Sequence, residues 1–307
     1  MRKVYISGTG QVPVSENWDK SLKELAGDAA LLAMEDADIG YPDALFVGNM
    51  MAITANKQAQ LGTMMSDWLG FHHKPGLTIE AACGSGAAAF RAGLIAIASG
   101  EIESALVIGV EKMTDSPAAE ITASLATAAD AELESDFGLS FVAINALIMQ
   151  RYMFEYGWRH AEFADFSVNA HANGSHNPCA RFQKAISRQA FLDAPMVSDP
   201  INLMDASPIG DGAAAIILTS QPIKRPFPWV FVAGSSSCTD TISVQTRKNS
   251  TFLTAAANSA KLAYAQAGIG PKDIGVFEYH DAFSIMAALS LEACGFAEPG
   301  QGPRLAL

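Results

Sequence analysis

Short apolar runs alternate with longer stretches whose apolar residues recur at helical spacing. That rhythm confines the chain to one broad architecture. Residues 4–7 read as a buried strand that ends at Gly8. Leu22, Leu25, Ala29, Leu32 and Ala33 then mark one helical face across residues 21–36. Residues 44–47 give a second strand, 59–69 a helix, 77–81 a third strand, 87–99 another helix and 105–110 a fourth strand. Such a series folds as a parallel sheet with helices on both faces.

From residue 111 to about 202 the rhythm breaks. Two helix candidates, 142–156 and 161–172, stand among polar connectors and read as an inserted loop domain. Residues 213–219 resume as a buried strand, and the prolines at 222, 226 and 228 mark a linker.

The later part repeats the earlier part. Residues 229–234 form a strand ending in glycine, as residues 4–8 do, and 253–268 a helix, as 21–37 do. Residues 28–43 align without a gap onto 258–273 at an offset of 230, with seven identities in 16 positions. Ala33 meets Ala263, Ala37 meets Ala267, and Ile39-Gly40 meets Ile269-Gly270. The strand 44–47 then falls on 274–277, giving two copies of one α/β unit. In the first copy a strand–cysteine–helix element starts near Thr78, and its twin would start at 308, past Leu307. The expectation is that the second copy diverges or that the chain stops before its fold is complete.

Half of the residues are hydrophobic and 17% are charged, below the usual ~25%, which excludes disorder and points to an oligomer. A length of 307 allows about two domain-sized units. A net charge of −12 argues against a nucleic-acid partner, which needs a basic face. Four cysteines without a CxxC pair make neither a disulfide framework nor a zinc ribbon. The start lacks a signal-peptide core, and the apolar tract 86–99 is interrupted by Arg91, short of a membrane span. A cytoplasmic, reducing setting without a membrane is expected.

Glu80-Ala-Ala-Cys83-Gly-Ser-Gly86 is the sharpest chemical feature. A thiol between a strand end and a helix start faces unpaired N–H groups and the positive end of the helix dipole, which should favour its thiolate. Glycines there let a substrate approach, as an acyl-accepting nucleophile requires. The bland alternative is a buried thiol at a helix–sheet junction. The second feature is Glu278-Tyr-His280-Asp281-Ala-Phe-Ser284. By the repeat offset, His280 follows the second copy's second strand, and sites in open α/β sheets gather at such ends. His280 could donate to a thioester oxygen and polarise it toward an enolate. Its alternatives are a helix cap and a satisfied core histidine.

Three other features are weaker. His171, His176 and Cys179 lack structural-zinc spacing and sit in a turn. Gly8-Thr-Gly10 is half a dinucleotide fingerprint, with Pro13 where a third glycine belongs. Arg181, Lys184, Arg188 and Arg247-Lys248 could meet an anion such as a CoA phosphate, or be solvated charges.

Together, Cys83 in Ala-Ala-Cys-Gly-Ser-Gly, the run Gly109-Val-Glu-Lys-Met113, Asp211-Gly-Ala-Ala-Ala215 before a strand, and His280-Asp-Ala-Phe283 resemble the thiolases. The His-Asp-Ala-Phe form is similar to that of sterol-carrier-protein-type and archaeal acetoacetyl-CoA thiolases. The resemblance spans essentially the whole chain. It implies an α/β thiolase fold, five-layer αβαβα, from two related halves plus a loop domain, in a homodimer or higher oligomer. The implied divisions are 1–111 (N-terminal half), 112–202 (loop domain), 203–221 (a strand returning to the first half) and 222–307 (an incomplete C-terminal half). Cys83 matches the nucleophile, His280 the oxyanion-hole position, and Ser207 a serine near the CoA pantetheine arm, with Pro208 where the family has glycine.

The implied function is acyl-CoA C-acetyltransferase, acting on a 3-ketoacyl-CoA such as acetoacetyl-CoA. No metal or cofactor is implied, and coenzyme A enters as part of the substrate. The family's Gly-His-Pro-type segment and its terminal Cys-x-Gly are missing from the 307 residues, and Cys294-Gly-Phe is not the latter. Little or no turnover is expected from these residues alone. One alternative is a thiolase-like aldolase with a partner subunit, although a tyrosine would then be expected at His280. Another is a non-catalytic assembly subunit that binds acyl-CoA, a zinc-ribbon/OB-fold protein or a hydroxymethylglutaryl-CoA synthase.

Overall fold

The computed structural model describes residues 2–223 and 228–306, so the linker expected at 222–228 lies in part outside the described residues. The chain opens with β1 (Tyr5–Gln11), α1 (Leu22–Ala37), β2 (Ala44–Gly48), α2 (Ala52–Ala55), α3 (Leu61–Trp68) and β3 (Gly76–Ile79). It continues through α4 (Ser85–Ser99), β4 (Ser104–Glu111), α5 (Ala118–Ala126), α6 (Phe141–Tyr156), α7 (Ala164–Gly174) and α8 (Arg188–Leu192). It closes with β5 (Met196–Ser198), β6 (Ile201–Asn202), β7 (Gly212–Thr219), β8 (Val230–Phe231), α9 (Thr254–Ala267) and α10 (Ser284–Ala293). These elements fall into two compact units. One holds the chain up to Ser124 together with Ile209–Val232, and the other holds Leu125–Pro208 and the chain from Ala233 onward.

The first unit is built on a six-stranded sheet in the order β3-β2-β4-β7-β1-β8. β2 pairs in parallel with both β3 and β4, while β7 runs antiparallel between β4 and β1. The sheet is therefore mixed, where the sequence rhythm predicts a parallel one. β7 returns after a long excursion and not through a single crossover helix, so nothing compels it to run parallel. β2 is buried along its whole length, as a central parallel strand should be.

Helix α1 starts on a capping box between Ser21 and Glu24. Its buried stripe is Ala26, Ala29, Ala30, Ala33 and Ala37, with Leu25. Leu32, expected on that face, is 45% exposed, and its repeat partner Leu262 is 50% exposed. Small residues set the stripe because α1 lies almost on the strand backbone. A Cβ on Gly8 would sit 2.2 Å from the Ala33 carbonyl oxygen, and one on Gly10 2.2 Å from that of Ala29. These glycines neither end the strand, which runs on to Gln11, nor form a phosphate turn; they admit the helix.

In the second unit, α6 and α10 contribute Ile144, Ile148, Met149, Tyr152, Ile285 and Leu289 to a core shared with Phe163 and Ile201. The repeat is visible in its packing. A Cβ on Gly234 would sit 2.3 Å from the Ala263 carbonyl oxygen, as Gly8 meets Ala33. The strands expected at 229–234 and 274–277 are corrected. Only Val230–Phe231 forms a ladder, on the edge of β1, and 274–277 forms none. In the first copy β1 pairs with β7 and β8, and β2 with β3 and β4, never with each other. Their counterparts thus have no mutual ladder, and a strand exists only through its partners.

Helix α4 with its lead-in, Ala82–Ser99, reaches 18 residues and is apolar enough for a membrane span, contrary to the expectation that no tract would be. It packs on the sheet, where Gly93 meets Val107 and Phe46.

Candidate active site

Three parallel strands end side by side in the first unit. Gly48 at the end of β2 pairs with Ile79 of β3 on one side and Gly109 of β4 on the other. Beyond β3 the chain makes a tight elbow into α4. Ala82 takes a left-handed conformation, φ +48°, which costs a non-glycine residue on the order of 1 kcal/mol or more. Hydrogen bonds over-determine the turn. Ser85 Oγ accepts from the Ala81 N–H at 2.9 Å and donates to the Ala82 carbonyl at 2.6 Å. The Ala82 N–H donates to Glu80 Oε1 at 2.5 Å, and the Gly84 N–H to the Ala81 carbonyl at 2.9 Å. Cys83 stands at the apex, exposed rather than packed away.

Its electrostatics differ from the sequence expectation. Desolvation by the surrounding protein pushes the Cys83 thiol up, and the Glu111 carboxylate pushes it further. The residue's own backbone N–H pulls the other way and does not win. The helix start therefore does not favour a standing thiolate at Cys83. Glu111, at the end of β4, is itself pushed up by burial. One of its oxygens accepts from the Met50 N–H at 2.5 Å, while Oε2 is buried and has no hydrogen-bond partner among the described residues.

Next to it, Lys112 and Asp211 form a buried ion pair of 2.9 Å, their side chains 1% and 0% exposed. Asp211 Oδ1 also accepts from the backbone of Met113 at 2.7 Å and Thr114 at 2.9 Å. Burial alone would raise the Asp211 carboxyl. The hydrogen bonds from Thr114, Lys112 and Met113 overcome it and bring the pKa down to about 2. Both residues lie in segments that carry the family resemblance, but nothing local in the sequence pairs them. The available signal was one acid and one base, each beside an apolar strand.

The second unit carries Ser207 and His280, and it brings them onto neighbouring segments. The Ser207 N–H donates to the Ala282 carbonyl at 2.9 Å, and Ala206 bridges Phe283. Both Ser207 and His280 are exposed. The His280 ring makes no hydrogen bond among the described residues, and α10 has no side-chain cap, so His280 is neither cap nor core. His171, expected in a turn, stands in the last turn of α7, where its ring bonds the Lys184 carbonyl at 3.1 Å and stacks on Phe182. Among the described residues no group of three or more His, Cys, Asp or Glu side chains is placed to hold a metal ion.

Residues 8–222 match the family model of the thiolase N-terminal domain, and residues 236–307 that of the thiolase C-terminal domain-like family. The chain is 38% identical over 308 residues to acetyl-CoA acetyltransferase of Methanothermobacter thermautotrophicus, an alignment covering 99% of this chain and 80% of that one. It is 30% identical to the benzoylsuccinyl-CoA thiolase subunit BbsB of Thauera aromatica, over 98% of this chain and 77% of that one. Among solved structures the Ltp2-ChsH2(DUF35) aldolase shares the fold, with a TM-score of 0.83 at 22% identity, over 99% of this chain and 80% of that one. The chain belongs to the thiolase family, with the thiolase fold that its sequence implied. It is a thiolase-type acyltransferase.

Proposed function

We propose that the chain is an acyl-CoA C-acetyltransferase that cleaves or condenses a 3-ketoacyl-CoA such as acetoacetyl-CoA through a thioester on Cys83. In cleavage, sulfur attacks the 3-keto carbon while the Cys83 proton passes to water, which returns a proton to the departing carbon. The bond between the second and third carbons breaks, and the electron pair passes to the departing acetyl-CoA as an enolate that is then protonated. The thiol of free CoA takes the acyl group from Cys83 in the second half. His280, as N–H donor to the thioester oxygen, would stabilise the enolate, and Ser207 would hold the pantetheine arm. Coenzyme A is a substrate moiety in this scheme.

The observation that carries the reading is the strained elbow, which exposes one thiol at the shared end of three strands. The test is a burst of free CoA from acetyl-CoA, one per chain, in the intact protein and in Cys83→Ala. A burst that survives in Cys83→Ala refutes the assignment.

The Thauera aromatica relative is a thiolase subunit, which supports a second reading in which this chain works with a partner polypeptide. A non-catalytic assembly subunit would bind acyl-CoA and release no CoA. The same burst separates the two.

A further inference from the structure

Asp205 is fully buried and lies between the segments that carry Ser207 and His280. Its Oδ2 accepts from the Asn202 N–H at 2.8 Å and pairs with His160 Nε2 at 2.6 Å. Its Oδ1 accepts from the Ser284 hydroxyl, and its backbone carbonyl accepts from the Ser284 N–H at 2.9 Å. From this peg one segment runs through the Ala206–Phe283 bridge to Ser207, and the other runs back from Ser284 to His280. His160 closes the set from a separate turn; its side chain is 20% exposed and its ring lies 5.0 Å from that of Phe191.

A buried carboxylate is stable only when its lone pairs are occupied, and here the donors other than His160 are the Ser284 hydroxyl and the Asn202 N–H. We propose that His160 and Asp205 are positioning residues that fix the spacing between Ser207 and His280. They would thereby set the distance from the pantetheine contact to the thioester oxygen that His280 polarises. The inference rests on the function proposed above. His160 touches no reacting atom; it acts by holding Asp205, which holds both segments.

The test compares His160→Leu and His160→Gln in the full chain, with two reactions read at Cys83. Acetylation by acetyl-CoA requires the thioester to be held and polarised. Alkylation by iodoacetamide does not. His160→Leu should slow acetylation by roughly 10- to 100-fold, the scale of a misplacement of about 1 Å, and leave alkylation unchanged. His160→Gln keeps an N–H donor near the position of Nε2 and should restore acetylation to within about threefold of the parent protein. The inference is overturned if His160→Leu acetylates normally. It is equally overturned if both reactions slow together, or if His160→Gln is as slow as His160→Leu. Failure of the parent protein to acetylate at all would refute the function itself, a distinct result.

Discussion

Replacing Gly48 by alanine probes how closely the elbow depends on backbone contact. The new Cβ would lie 2.4 Å from the Ser85 carbonyl oxygen, 2.6 Å from its carbon and 2.7 Å from Gly86 Cα. All three are backbone atoms in the first turn of α4, so no side chain can yield. Ordinary contact starts near 3.4 Å, so the turn that carries Cys83 must retreat by about 1 Å. Overpacking of this kind costs about 1–3 kcal/mol of stability. A shift of that size at a reacting atom costs on the order of 10²-fold in rate. The assay is the rate of Cys83 acetylation by acetyl-CoA, read beside the melting temperature. Gly40→Ala is the control, since a Cβ there meets nothing within 4 Å. If Gly48→Ala acetylates at the parent rate with an unchanged melting temperature, the elbow is not set by this contact and the reasoning fails.

Other outcomes follow from the same network. Asp211 falls from an ordinary 3.8 to about 2 in the fold. It should therefore contribute roughly 2–3 kcal/mol that is fully present above pH 4 and lost as pH drops toward 2. Urea midpoints of the parent protein should fall over that window, and a flat profile would contradict the assignment. Asp211→Asn leaves the buried Lys112 ammonium still paired with Asp115 at 2.8 Å but weakens the bonds that Asp211 accepts, and should cost about 1–3 kcal/mol at neutral pH, read by denaturant unfolding. Glu111→Gln removes a carboxylate that raises the Cys83 thiol, so the pH profile of iodoacetamide alkylation should move to lower pH. A profile that stays in place would remove Glu111 from the thiol's surroundings. His280→Ala should slow acetylation of Cys83 and spare its alkylation. Equal slowing of both would show a structural effect instead.

Local rules made much of the architecture readable. Ser21 and Glu24 announce the start of α1, and glycines at 100, 157 and 268 close α4, α6 and α9 in the left-handed conformation. The repeat is legible because one physical contact imposes it twice: a glycine against a helix carbonyl, at Gly8 with Ala33 and at Gly234 with Ala263. What escaped depends on distant partners. Leu32 has helical spacing yet faces outward, because the alanines beside it are what the sheet can accommodate. The segment 274–277 has strand composition but no ladder. The Lys112–Asp211 and His160–Asp205 pairs join residues 99 and 45 positions apart, which no local pattern reveals. The Cys83 thiol was misjudged because the helix dipole is visible in a sequence, whereas desolvation and a carboxylate two strands away are not.

The most direct measurement is peptide mapping of the chain after incubation with acetyl-CoA. The expected result is a single acetyl group on the sulfur of Cys83, labile to hydroxylamine and absent from Cys83→Ala. An unmodified chain, or an acetyl group on Cys179, Cys238 or Cys294 instead, would contradict the account.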